Sequence, residues 1–113
     1  MMRVLFRAVD VNVELNSAQI KRLRAESHRL NLKPVVIIGQ KGLSENLHNE
    51  LHGALQSHEL IKLKIPGLDK AGKRELAAEL CAYHGAQLVQ SIGNVLVLYR
   101  ANPEVNRFAA LVG

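Results

Sequence analysis

A single α/β domain, with helices covering a mixed four-stranded sheet, is the fold that this 113-residue sequence predicts. Three observations carry it. Short apolar runs alternate with amphipathic stretches in the order α-β-α-β-α-β-β, strands separated by helices call for parallel crossovers, and the last two strands are joined by a two-residue turn suited to an antiparallel hairpin. The length is that of one domain able to bury its own core, and 48% apolar against 22% charged residues is the balance of a folded chain.

Each element has its own signal. Asn16 or Ser17 supplies an N-cap, and Ile20, Leu23, Ser27 and Leu30 form one stripe, predicting a first helix over 17–30 with Lys21, Arg24 and His28 on its other side. Pro34 ends the connector, and the continuous apolar run Val35-Val36-Ile37-Ile38 predicts a strand covered on both faces. Ser44 caps a second helix with Glu45 in its first turn. Leu47, Leu51, Ala54, Leu55 and His58 share its stripe, so His58 is expected to be partly buried.

Leu60 to Ile65 alternates, with Ile61, Leu63 and Ile65 on one side and Lys62 and Lys64 on the other, until Pro66-Gly67 stops it. A third helix over Lys73 to His84 turns Leu76, Ala77, Leu80 and Tyr83 inward and closes on Gly85. Gln87 to Ile92 and Val95 to Tyr99 are then two strands joined by Gly93-Asn94. Residues 1–14 alternate loosely and read as an extension, either an added strand or a flexible arm. The domain proper spans 15–101, and the tail 102–113, with few apolar anchors, is expected to fray.

Fifteen Lys plus Arg against ten Asp plus Glu give a net charge of +5, a bias toward polyanionic partners. One cysteine, Cys81, allows no internal disulfide, CxxC pair or cysteine metal cluster, and on its helix it reads as a small buried hydrophobe. Asp10, Asn12 and Glu14 break any signal-peptide core, and no stretch reaches membrane-spanning length. A reducing, cytoplasmic setting is the expectation.

The strongest local feature is the loop Gly39-Gln40-Lys41-Gly42, lying after a predicted strand and before a predicted helix. Its GxxG spacing lets backbone turn tightly and approach a ligand, the following helix N-terminus offers free N–H groups to a phosphate, and Lys41 adds a point charge. KH domains clamp a nucleotide backbone with such a loop. It lacks the longer cradle of a Walker loop. Lys21, Arg22, Arg24, Arg29 and Lys33, with His28, form a basic cluster offset only by Glu26, and Lys62, Lys64, Lys70, Lys73 and Arg74 form a second one around Asp69. The second helix is acidic instead, with Glu45, Glu50 and Glu59 close by.

Other chemistry finds little footing. His48 and His52 are spaced i, i+4 but lack the HExxH glutamate and a third ligand, so no metal is expected. Serines show no GxSxG elbow, acidic residues form no paired site, and no catalytic constellation emerges. With Tyr83 inward, aromatic platforms for base stacking are scarce, so phosphate and sugar contacts are expected to dominate.

Three motifs in order then carry a resemblance: Leu32-Lys33-Pro34-Val35-Val36-Ile37-Ile38-Gly39-Gln40-Lys41-Gly42-Leu43-Ser44, His58-Glu59-Leu60-Ile61-Lys62-Leu63-Lys64, and Val97-Leu98-Tyr99-Arg100. Together they resemble the CRM domain (chloroplast RNA splicing and ribosome maturation), nearest its single-domain bacterial, YhbY-type version, across about Leu15 to Arg100. The resemblance implies an α/β RNA-binding domain shaped like the C-terminal domain of translation initiation factor three. It also implies association with precursors of the large ribosomal subunit, with the Gly39–Gly42 loop as the RNA contact, and neither cofactor nor enzymatic activity. Many members end the last strand with YRG, where this chain has Tyr99-Arg100-Ala101.

The expected function is therefore binding of structured ribosomal RNA through Gly39, Gln40, Lys41 and Gly42. Lys21, Arg22, Arg24, His28, Arg29, Lys33, Lys62 and Lys64 are expected to support them, in a monomer with no membrane or small-molecule partner. The rival is a ribosome-associated protein-interaction adaptor that uses the acidic, His-bearing second helix.

Overall fold

The computed structural model describes residues 14–112. The sequence-predicted extension lies outside the described residues, apart from Glu14. Helix α1 (Ser17–Arg29) opens on a reciprocal cap: the Asn16 side chain accepts the Gln19 N–H at 2.8 Å, and the Gln19 side chain accepts the Asn16 N–H at 2.7 Å. After β1 (Pro34–Ile37), helix α2 (Glu45–His58) begins at Ser44, whose hydroxyl accepts the Leu47 N–H at 3.1 Å. Strand β2 (Leu60–Lys64) leads to α3 (Lys70–His84), which starts one turn earlier than its apolar stripe indicates. The reason is Asp69, whose carboxylate accepts the Gly72 N–H at 2.7 Å and caps a polar first turn.

Strands β3 (Gln87–Ile92) and β4 (Val95–Tyr99) pair antiparallel across Gly93-Asn94. The sheet order is β1-β2-β4-β3, with β1 and β2 parallel and β2 and β4 antiparallel. The sheet is thus the mixed four-stranded one expected, with β4 between the two strands that α3 connects.

One face of the sheet carries the larger core. Leu51, Leu55 and Leu80 of the helices meet Val36, Ile61, Leu63, Leu96 and Leu98 of the strands, all buried. Among the described residues the other face is covered at one end only, where Leu23 of α1 and Phe108 of the tail pack on Leu60, Val89, Val97 and Tyr99. Ala101 adds its methyl to this second cluster. The rings of Tyr99 and Phe108 meet edge to face with centroids 6.2 Å apart.

Four expectations are corrected. β1 is not covered on both faces: it is an edge strand, and its pleat buries Val36 and Ile38 while Val35 and Ile37 remain 47% and 67% exposed. His58 is exposed, because the next residue, Glu59, turns inward with φ +63 as the helix cap. Tyr83 is 64% exposed, since the inward stripe of α3 runs from Leu80 to His84, a step of four. The tail does not fray: Val105 N–H and Asn106 N–H bond to Asn102 O, Phe108 is buried, and a short helix α4 (Ala109–Val112) lies against α1.

Candidate nucleic-acid interface

The Gly39–Gly42 loop leaves the exposed edge strand and forms a tight turn closed by Gly42 N–H on Gly39 O at 3.1 Å. Gln40 and Lys41 sit at its exposed tip. The two glycines differ in kind. Gly42 has φ +83, a conformation that disfavours other residues, so its identity is needed for the turn itself. Gly39 has no such backbone angle, and a Cβ built on it meets nothing within 4 Å. The fold alone therefore does not require glycine at position 39.

Two residues beyond the loop's last residue, Gly42, lies Ser44, the cap of α2, so the loop opens directly onto the N-terminus of a 14-residue helix. Glu45 in that first turn already answers part of the helix's positive end.

The other predicted residues are distributed over several surfaces. Register places Lys62 and Lys64 on the partly uncovered sheet face: Lys62 pairs with Val97 and Lys64 with Val95. His28, on the Lys21–Arg24–His28 stripe of α1, shares a groove of about 180 Å³ with Lys62, Gln90 and Ile92. Lys33 and Lys62 share a second groove, of about 240 Å³, with His58 and Arg107. Lys62 joins the two grooves, and neither is lined by an Asp or Glu. Lys21 and Arg24 are exposed.

Arg22 and Arg29 face elsewhere. The Arg22 Nε donates to Leu111 O at 2.8 Å, and Arg29 forms a two-pronged pair with Glu26, a hydrogen bond that lowers the Glu26 carboxyl's pKa and raises the guanidinium's. Lys70, Lys73 and Arg74 do not continue the first cluster. They line a separate hollow with Leu88, Ser91 and Gly93 at the other edge of the sheet.

Sequence reasoning missed Arg107, because it sits in a tail expected to fray. Its place in the Lys33–Lys62 groove follows from two backbone anchors, Asn102 N–H and Arg107 N–H, which donate to the two oxygens of Glu59 at 2.7 and 2.8 Å. The exposed apolar residues Val35, Ile37 and Ile92 were also missed. The unbroken run from Val35 to Ile38 reads as doubly buried until the strand order puts it at an edge.

On α2, the paired histidines are engaged separately. The His48 Nδ1 lies 3.0 Å from His84 Nε2 and its ring stacks on Tyr83 with centroids 3.7 Å apart, while Arg100 approaches His52 Nδ1 at 3.1 Å. Burial, then the nearby His48, Arg100 and His52, push the His84 pKa down to about 4. Among the described residues no group of three or more His, Cys, Asp and Glu is placed to hold a metal ion. Cys81 packs half-buried against the core, and burial raises its thiol pKa, which makes it a poor nucleophile. No helix among the described residues is long and apolar enough to cross a membrane.

Comparison with known proteins agrees with the fold and motifs. A family model for the CRS1/YhbY (CRM) domain matches residues 15–100. The chain is 42% identical over 93 residues to a probable RNA-binding protein of Pseudomonas aeruginosa, covering 82% of this chain and 88% of that one. It is 40% identical over 90 residues to an RNA-binding protein of Haemophilus influenzae, covering 80% and 89%. The solution structure of a hypothetical protein from Staphylococcus aureus, 34% identical, superposes with a TM-score of 0.70 over 79% of this chain and 91% of that one. With a mixed sheet of the expected topology, the three sequence motifs and a match across nearly all the described residues, this chain belongs to the CRS1/YhbY (CRM) domain family.

Proposed function

We propose that this chain is a non-enzymatic RNA-binding protein that holds structured ribosomal RNA and assists assembly of the large ribosomal subunit, acting as a cytoplasmic monomer. The observation that carries the reading is the Gly39–Gly42 turn: exposed, set at the start of α2, and glycine at position 39 without an internal steric need. A glycine that the fold does not require is accounted for by something outside the fold that approaches the backbone, and a phosphate suits the N–H groups there. Lys41 adds charge, Lys33, Lys62 and His28 line two grooves without an Asp or Glu, and Lys64 lies two residues along β2 from Lys62 on the same face. Arg107 joins this set. The RNA-binding names of the relatives and the CRM family support the same partner class.

The test is filter binding of the purified chain to ribosomal RNA at several salt concentrations, with Gly39→Asp/Gly42→Asp as the loop variant. The expected result is salt-sensitive binding that the folded loop variant loses. Wild-type affinity in a folded loop variant removes the loop from the site, and no wild-type binding even at low salt returns the reading to a protein adaptor. Crosslinking in cells, with sedimentation against ribosomal precursors, then tests the ribosomal assignment.

A further inference from the structure

The half of the sheet that the described residues leave uncovered has a composition that phosphate binding does not explain. Register aligns Ile37, Lys64, Val95 and Ile92 in one row across all four strands, with side chains on the same side. Ile37 is 67% and Ile92 58% exposed, and Val35, two residues before Ile37, projects to the same side. The next row holds Lys62, Val97 and Gln90. Farther along the same face, Leu60, Val89 and Tyr99 are buried beneath Leu23 and Phe108, so the covering by α1 and the tail stops partway. What remains is a floor of branched aliphatic side chains set between lysines.

A floor of this kind is of no use to an RNA duplex. An A-form helix presents phosphates and hydroxyls outward and keeps the flat faces of its bases stacked inside. Exposed isoleucines gain only from a ligand that offers apolar surface, which an unstacked base does. The charge pattern selects the same ligand: the rim is cationic, and the grooves beside it carry no carboxylate. The floor is also continuous with the loop, because Ile37 lies two residues before Gly39.

We infer that the open face of the sheet is a binding site for single-stranded RNA, in which unpaired bases lie on Val35, Ile37 and Ile92 while Lys62 and Lys64 hold the adjoining phosphates. This rests on the RNA-binding reading above and adds a preference to it: the loop takes backbone of any RNA, and the sheet face takes bases that a loop or bulge leaves unpaired. On this face branched aliphatic side chains, not aromatic rings, supply the apolar contact.

The experiment compares the full chain with Ile37→Ser/Ile92→Ser against a single-stranded RNA of mixed sequence and a duplex of the same length, by fluorescence anisotropy. Both side chains are exposed, so the variant is expected to keep its fold, which circular dichroism checks. Single-stranded affinity should fall by about tenfold while duplex affinity and the salt slope stay unchanged. A measurement on the unmodified protein accompanies it: the Ile37 and Ile92 methyl resonances should shift on adding single-stranded RNA and stay put with duplex.

Wild-type single-stranded affinity in the double variant, equal losses for both RNAs, or still methyl resonances overturn the inference and leave the face to another occupant such as a protein. In those cases the RNA-binding reading stands if Gly39→Asp/Gly42→Asp still abolishes binding. If the wild-type chain binds neither RNA, both fall.

Discussion

The buried carboxylate of Glu59 accepts the backbone N–H of Asn102 at 2.7 Å, tying the end of α2 to the segment that follows the last strand. Its other oxygen accepts the Arg107 N–H at 2.8 Å, and its own backbone carbonyl accepts the Arg100 N–H at 2.9 Å. One side chain thereby folds the tail back over the sheet and sets both Phe108 and Arg107. Glu59→Gln offers only one acceptor oxygen for two backbone donors, one buried and one part-buried. It should destabilise the protein by about 1–3 kcal/mol, the usual cost of one unsatisfied buried group, as read by urea denaturation.

Phe108→Ala tests the same anchor from the apolar side. Phe108 is buried against Tyr99 and the Leu23 cluster, and its truncation should cost about 3–5 kcal/mol. A loss below about 1 kcal/mol by the same denaturation measurement would mean that the tail is a dispensable strap.

Stability should also depend on pH through His84. Its pKa is about 4 in the folded chain and 6.5 as the ordinary value, so the unfolded chain takes up the proton first as pH falls. The stabilisation is complete above about pH 6.5, declines between there and about 4, and levels off below. The decline should be on the order of 1 kcal/mol, because the His48–His52–Arg100 surroundings are partly open to water. Thermal melts across this range should show it in the wild type and a flatter profile in His84→Gln.

The two loop glycines should separate when each is replaced by alanine. Gly42→Ala places a side chain at φ +83 and should cost about 1 kcal/mol or more, whereas Gly39→Ala should leave denaturation unchanged within about 0.5 kcal/mol. If a ligand approaches the backbone at Gly39, the same Gly39→Ala variant weakens RNA binding despite its intact stability. Unchanged affinity in an RNA titration would show that the methyl meets nothing in the complex.

Lys41→Ala should weaken RNA binding by about 1 kcal/mol across unrelated sequences and reduce the salt slope by about one, as one phosphate contact is lost. An effect confined to one sequence would instead mean that Lys41 reads a base.

Local chemistry made most of this fold readable in advance. Caps at Asn16 and Ser44, the period-four stripe of Leu47, Leu51 and Leu55, and the Gly93-Asn94 turn act within a few residues, and each stands where its signal places it. The Gly39–Gly42 turn belongs to the same class, since a positive φ at Gly42 is a local demand.

Coverage is a different kind of property, because it depends on which elements lie on which face. Nothing within Val35 to Ile38 distinguishes a central strand from an edge strand, and only the order β1-β2-β4-β3 leaves Ile37 in solvent. The tail offers few apolar anchors of its own, yet a glutamate 43 residues away from Asn102 holds it down. So the loop was evident from its own residues, while the apolar floor beside it and Arg107 in its groove arose from long-range packing, which burial and hydrogen bonding decide together.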